Sequence, residues 1–223
     1  MTAVDPTFVL KELQALHFDN TFNPYSDCCA TYDSCESPLM RSTLLLSILE
    51  EASCRSVDAL WIGRDLGHRG GRRTGLALTD DIRFSSHAER WGVKAYRPTQ
   101  GTPVTERTAS VIWDMLDQIA EDIFLWNVFP LHPHPKDNVF SNRSHKAEER
   151  REGERILGLI AQLLRPKRIV AIGNDAAHSA LRLFPNLEIE HVRHPSYGGQ
   201  ADFCRQIKQI YSLPDRKRQP ELF

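Results

Sequence analysis

The apolar positions follow two rhythms. Four short runs, Ala59–Ile62, Ile123–Val128, Ile169–Ile172 and Leu187–Val192, are separated by longer segments with apolar residues every three or four positions. The first three runs are almost continuously apolar, as strands buried on both faces must be. Residues 106–120 carry Ala109, Ile112, Leu116 and Ile119 at helical spacing, with Thr105 placed to cap them. Residues 147–164 are charged on one face and carry Ile156, Leu157, Ile160, Leu163 and Leu164 on the other. Residues 175–183, capped by Asn174 or Asp175, and residues 200–212 read as two shorter helices. Upstream, Val9, Leu10, Leu13 and Leu16 share one face of an amphipathic helix within residues 1–20. Residues 21–38 read as irregular, and residues 39–53 as a helix burying Leu44, Leu45, Ile48 and Leu49. This order predicts an α/β fold: a three-layer sandwich with a central, mostly parallel four-stranded sheet flanked by helices, joined by right-handed crossovers. Residues 1–213 are expected to form one domain. Residues 214–223 are expected to be a flexible tail whose Arg216, Lys217 and Arg218 are solvated charges.

Composition narrows the class. The chain has 223 residues, 41% hydrophobic and 26% charged, which is ordinary for a soluble globular protein and excludes wholesale disorder. No apolar run approaches the ~20 residues of a membrane span, and no apolar segment follows Met1, so a cytoplasmic protein is expected. The five cysteines are odd in number and suit reduced thiols. Cys28, Cys29 and Cys35 lie close together but form no C-x-x-C pair. A metal-binding module built on Cys28, Cys35, His132 and His134 is therefore a minor alternative, and no metal or cofactor is expected.

Ligands of open parallel sheets bind beyond the carboxyl ends of the strands, so the residues there carry the chemistry. The first strand is followed by a thirteen-residue loop, Gly63 to Gly75, holding five glycines and four arginines: Arg64, Arg69, Arg72 and Arg73. Glycine lets the backbone approach a ligand closely, and arginine favours phosphate. The loop is neither G-x-G-x-x-G nor a P-loop, which disfavours nucleotide hydrolysis. The second strand ends in Trp126-Asn127, the third in Gly173-Asn174-Asp175, and the fourth runs into His194-Pro195-Ser196-Tyr197. A carboxylate, an amide and an imidazole thus converge on one edge.

In this order the segments resemble the motifs of the uracil-DNA glycosylase superfamily, over roughly residues 20–213. Gly63-Arg64-Asp65-Leu66-Gly67, followed by Arg72 through Thr79, is similar to its first motif. His194-Pro195-Ser196 is similar to its second, Trp126-Asn127-Val128 to its base-reading strand end, and Ser141-Asn142-Arg143 to a run in bacterial members. The resemblance implies a DNA-repair enzyme that hydrolyses the bond between uracil and deoxyribose, with uracil-containing DNA as partner and free uracil as product. Such a site needs a carboxylate near C1′ to orient water and stabilise a cationic sugar, a role that falls to Asp65. It needs a donor at uracil O2, which falls to His194. It also needs an amide facing the base edge, which falls to Asn127. Gly63, Arg64, Leu66, Gly67 and Leu78 complete the substrate site.

The base must also be flipped out of the duplex. His68, Arg69, Arg72, Arg73, Arg143 and Ser196 are the phosphate-contact candidates, with Tyr197 or Gln200 as the wedge. The chain departs from the family pattern at Arg64, where Gln or Glu is usual, and at Leu66, where proline is. Leu78 stands where many members stack a phenylalanine on uracil, and Phe22 is the candidate replacement. Gly67 stands where one branch has a tyrosine that excludes the thymine methyl. The iron–sulfur branches use cysteine spacings absent here. A monomer is expected. Two alternatives stay open: a catalytically weak binder of uracil- or abasic-site DNA, and a phosphate-binding small-molecule enzyme. The net charge of −1, from 28 basic and 29 acidic residues, is expected to be polarised, with the arginine loop as one basic face.

Overall fold

A computed structural model describes residues 4–214. The elements run α1 (Pro6–Gln14), β1 (Thr21–Phe22), α2 (Ser37–Ser53), β2 (Ala59–Asp65), α3 (Gly71–Thr74), α4 (Phe84–Arg90) and α5 (Arg107–Leu116). They continue as β3 (Ile123–Phe129), β4 (His132–Pro133), α6 (Ala147–Leu164), β5 (Arg168–Ile172), α7 (Asn174–Leu183), β6 (Glu188–Val192) and α8 (Gln200–Ile210). The four long strands form one sheet in the order β3-β2-β5-β6, parallel at every pairing.

Side chains alternate across a strand, and here that parity sorts two cores. Leu60 and Ile62 of β2, Phe124, Trp126 and Val128 of β3 and Ile169 and Ala171 of β5 pack against α1, α2, α6 and α7. Ala59 and Trp61, Ile123 and Leu125, and Val170 and Ile172 face α5 and α8 on the other side. The runs are continuously apolar because both faces are covered, giving the expected three-layer α/β arrangement. The packing of α6 on β3 requires glycine at 153: a Cβ there would sit 2.9 Å from the Phe129 Cα.

The boundaries differ where tertiary contacts override local signals. The first helix is shorter than residues 1–20: Asp5 caps it through the Phe8 amide at 2.8 Å, and the Asn23 amide takes the Leu13 and Leu16 carbonyls at 2.8 and 3.0 Å. The 21–38 segment holds β1, which pairs antiparallel with β4 through Phe22 and His132. Thr105 does not cap α5. Glu106 is the N-cap residue, and its backbone N–H donates 2.7 Å to Asp80 Oδ2. Likewise α7 starts after Gly173, not after Asn174 or Asp175. Gly173 has φ +88°, and its Cα face lies against His194, where a Cβ would come 3.2 Å from the imidazole's own Cβ. The helix α4 carries too few periodic apolar residues to be seen in the sequence; Phe84 and Ala88 are its core anchors. Arg216, Lys217 and Arg218 lie outside the described residues.

Candidate active site

The strand ends open into a cleft of about 790 Å³, bounded by Asp65, Leu66, Leu78, Glu106, Asn142 and His194 among others. Register explains how the parts meet. Gly63 pairs with Asn127 and Asp65 with Phe129 across β2 and β3, so the amide lies one side-chain step deeper than the carboxylate on the same strand face. The glycine is required: a Cβ on Gly63 would fall 2.5 Å from Asn127 Oδ1 and 2.9 Å from Leu78 Cδ2. Leu78 itself has φ +55°, a strained conformation for a branched side chain, and its carbonyl is held by Trp113 Nε1 at 3.2 Å.

Three polar side chains stand at the strand ends. The Asp65 carboxylate is nearly buried, accepting from Arg64 Nε at 2.7 Å on one oxygen and contacting His145 Nδ1 with the other. His194 Nδ1 accepts the Ser196 backbone N–H at 3.2 Å and lies 2.7 Å from the Ser196 hydroxyl. A backbone N–H can only donate, so Nδ1 carries no proton and the neutral ring holds its hydrogen on Nε2. Burial, then the Arg64 and Arg193 charges, lower the His194 pKa and keep that neutral form. Asn127 is buried, and neither its amide nitrogen nor its oxygen has a hydrogen-bond partner among the described residues. An unsatisfied buried amide costs ~1–3 kcal/mol, so the fold holds two idle hydrogen-bonding groups at the strand end.

A family profile for the Uracil DNA glycosylase superfamily matches residues 56–212, the span that carries all three side chains. The chain belongs to the uracil DNA glycosylase superfamily. The fold is also that of wild-type Pedobacter heparinus SMUG2, whose crystal structure aligns with a TM-score of 0.63 over 95% of this chain and 97% of that one, at 15% identity. No curated protein sequence matches. A glycosylase-type role in DNA repair follows from the family.

Within this glycosylase cleft the sequence-predicted residues divide. Gly63, Arg64, Asp65, Leu66, Gly67, Leu78, Asn127 and His194 come together at the strand ends, with Ser196 bonded to His194. Tyr197 is 98% exposed at the rim with φ +52°, and Gln200 is exposed at the start of α8. Arg69 is exposed, while His68 is partly buried, its N–H donating 2.9 Å to Asn142 Oδ1. Burial and the Arg69 and Arg72 charges lower the His68 pKa, against the pull of its Asn142 hydrogen bond.

Four expectations need correction. Arg72 and Arg73 do not present a basic face; both are buried. Arg72 donates to the Tyr32 hydroxyl at 2.9 Å and to His132 Nδ1 at 3.0 Å, and Arg73 pairs with Asp81 at 2.7 Å. Arg143 borders the cleft but is committed to Glu149, 2.6 Å away, and to four backbone carbonyls. Phe22 does not line the cleft: it is buried beneath the Arg72 guanidinium, 3.8 Å from ring centroid to Cζ, beside Cys29 and Tyr32. For the three arginines, internal acceptors (Tyr32 and His132, Asp81, and Glu149) replace the phosphates that the sequence suggested, and Phe22 is drawn away by the pairing of β1 with β4.

His132 and His134 serve this scaffold. His132 accepts from Arg72 on Nδ1 and offers Nε2 to the Ser141 carbonyl and Asn142 Oδ1, each at 3.1 Å. Burial, with Arg72 beside it, pushes the His132 pKa down to about 3. Among the described residues no group of three or more His, Cys, Asp or Glu side chains is arranged to hold a metal ion. Sequence reasoning missed His145, Glu106 and Asn142. Asn142 lies within the Ser141-Asn142-Arg143 run, where only the arginine carries an assigned role, and His145 follows two residues after it. Glu106 lay in a helix start where an acidic residue is unremarked.

Proposed function

We propose that the protein is a monofunctional uracil-DNA glycosylase, acting as a monomer without metal or cofactor. The observation that carries this reading is the buried, unpartnered Asn127 amide, which shares the Cα face of Gly63 with Leu78, a residue that lines the same cleft as Asp65 and His194. An everted uracil satisfies both idle groups, its N3–H donating to Oδ1 and its O4 accepting from Nδ2, a pattern that cytosine reverses. The glycosidic bond then breaks with its electron pair leaving on the base. His194 Nε2–H donates to O2, where negative charge grows, and a neutral donor does this without forming a tight ion pair with the product. Asp65 stabilises the cationic sugar and orients the water that attacks C1′, the water proton passing to the carboxylate. The products are uracil and an abasic deoxyribose. Leu78 offers an aliphatic face where an aromatic would stack, forfeiting ~1–3 kcal/mol of base binding.

The test is release of uracil from a labelled oligonucleotide, compared with an otherwise identical thymine oligonucleotide. Time-dependent uracil release supports the reading. Binding of uracil-containing DNA with no release supports instead a binder of uracil- or abasic-site DNA, a reading favoured by the engagement of both Asp65 oxygens with Arg64 and His145. Binding of a small phosphate compound with no salt-sensitive DNA affinity overturns both.

A further inference from the structure

Glu106 is a titratable group of the cleft to which the proposed mechanism gives no task. Its carboxyl is wedged between two glycines. A Cβ on Gly67 would lie 3.2 Å from the Glu106 Cδ and closer still to Oε1, and a Cβ on Gly70 would lie 3.2 Å from the same Cδ and closer still to Oε2. Gly67 lacks the positive φ that would demand glycine for backbone reasons, so its missing side chain makes room for this carboxyl. The backbone is anchored, its N–H on Asp80 Oδ2 at 2.7 Å and its carbonyl accepting the Ser110 N–H at 3.0 Å. No hydrogen bond among the described residues ends on the carboxyl oxygens, although they are sunk in the cleft wall. The carboxyl keeps some contact with solvent through the cleft, and what enters the cleft there displaces that solvent.

A pyrimidine ring offers three edges. On the reading proposed above, Asn127 takes the N3–O4 edge and His194 the O2 edge, which leaves C5–C6 for the wall carrying Gly67 and Glu106. We propose that Glu106 is the specificity-determining residue of this pocket, filling the space that Gly67 leaves open and rejecting the 5-methyl group of thymine. A methyl pressed on the carboxyl would both collide with it and strip its remaining solvent. The protonation state matters in the same place. Burial and the neighbouring Asp80 push the Glu106 pKa up to about 7, while Arg69 pulls it down; these are the charges acting on it from the packed loops. A neutral carboxyl is compatible with a base that becomes an anion, whereas the ionised form repels it.

The experiment measures release of uracil and of thymine from matched oligonucleotides between pH 5.5 and 8.5, for wild type, Glu106→Gln and Glu106→Ala. For wild type, uracil release is expected to fall as pH rises through about 7. Glu106→Gln, nearly isosteric, is expected to keep the uracil preference and lose that fall. Glu106→Ala is expected to raise the thymine-to-uracil ratio by about tenfold or more, the scale on which a pocket discriminates a methyl group. An unchanged alkaline limb in Glu106→Gln, or an unchanged ratio in a folded Glu106→Ala, overturns the inference while uracil release stands. If Glu106→Ala does not fold, Glu106→Ser makes the same comparison, and an unchanged thymine-to-uracil ratio in the folded variant overturns the inference. A wild type that releases no base sinks the glycosylase reading itself, and the inference with it, so the two failures are distinct.

Discussion

Arg143 gives the sharpest separation between a DNA-contacting and a structural arginine. Its guanidinium makes a two-pronged pair with Glu149, at 2.7 Å and 2.6 Å, and donates to the carbonyls of His134, Ser144 and Asn20 at 3.0 to 3.1 Å. Glu149 has no side-chain exposure and also accepts the Lys146 N–H at 2.6 Å. Arg143→Ala removes one partner of a buried pair and strands a carboxylate, which costs ~3–5 kcal/mol. Arg143 keeps 20% of its own surface, so water reaches its end of the pair and the lower figure of ~3 kcal/mol applies. At ~2–4 °C per kcal/mol for a chain of this size, the melting temperature should fall by roughly 6–12 °C at pH 7. The deficit should also shrink in acid. Burial raises the Glu149 pKa, but the Arg143 bond, the Lys146 amide and the Arg143 charge outweigh it and hold the group below its ordinary 4.5. That depressed value stabilises wild type fully above pH 4.5 and progressively less as pH falls below it, whereas in Arg143→Ala the carboxyl protonates more readily. Arg143→Met combined with Glu149→Gln should recover much of the loss, since no buried charge is left alone. Thermal melts followed by circular dichroism between pH 4 and 8 measure all of this. A variant that melts like wild type, yet binds DNA with a shallower salt dependence, would refute the structural assignment and restore Arg143 as a phosphate contact.

Three further outcomes follow from the same geometry. His87 and His132 are buried and neutral, each pushed down to about 3, chiefly by burial. The stability that these two neutral rings contribute is full above pH 6.5 and falls toward pH 3 by up to ~1.4 kcal/mol per pH unit for each, and urea titrations of wild type and His87→Gln should show the slope lowered by about that one-histidine amount in the variant. Asp65→Asn and His194→Gln should each lower uracil release at least ~10²-fold with the melting temperature little changed, and full activity in either removes that residue from the mechanism. Arg69→Ala should flatten the salt dependence of DNA binding by about one counterion, while Arg72→Ala should unfold more easily at an unchanged slope; the opposite pattern would mean the loop opens to expose Arg72.

The sheet was legible in the sequence because burial on both faces leaves a strong mark. Ala59–Ile62, Ile123–Val128 and Ile169–Ile172 are apolar at every position but Asn127 since neither face meets water, and hydrophobic periodicity registers that directly. The strand ends were underestimated: β2 continues through Gly63, Arg64 and Asp65, which hydropathy alone reads as loop. The carboxylate, amide and imidazole were found because topology puts strand ends on one edge, a rule that needs only the order of elements. His145 and Glu106 obey no such rule. They reach the cleft from the segment before α6 and from the start of α5, and only the packed chain brings them to Asp65 and Gly67.

The arginine loop shows why charge along a sequence is a poor guide to charge on a surface. A guanidinium in a Gly-rich loop has the same signature whether it faces phosphate or the interior, since both environments offer oxygen acceptors in a plane. What distinguishes them is the supply of internal partners from far along the chain. Tyr32, Asp81, His132 and the Phe22 ring take up Arg72 and Arg73 here, and none is adjacent in sequence. Of the four arginines from Gly63 to Gly75, Arg69 alone is exposed, and Arg64 is turned onto Asp65 and Asp175. The expected basic face is thus reduced, and the net charge of −1 is less polarised than the sequence suggests. The buried pair does something different. It ties the loop after β2 to the β1-β4 pair and, through His132 and Asn142, to the segment that carries His145 onto Asp65. The role proposed for Asp65 needs its carboxylate held within a fraction of an ångström, and a glycine-rich loop left to itself could not hold it. The arginines that looked like a grip on DNA are better understood as internal bracing that keeps a loop of five glycines from becoming slack beside Asp65.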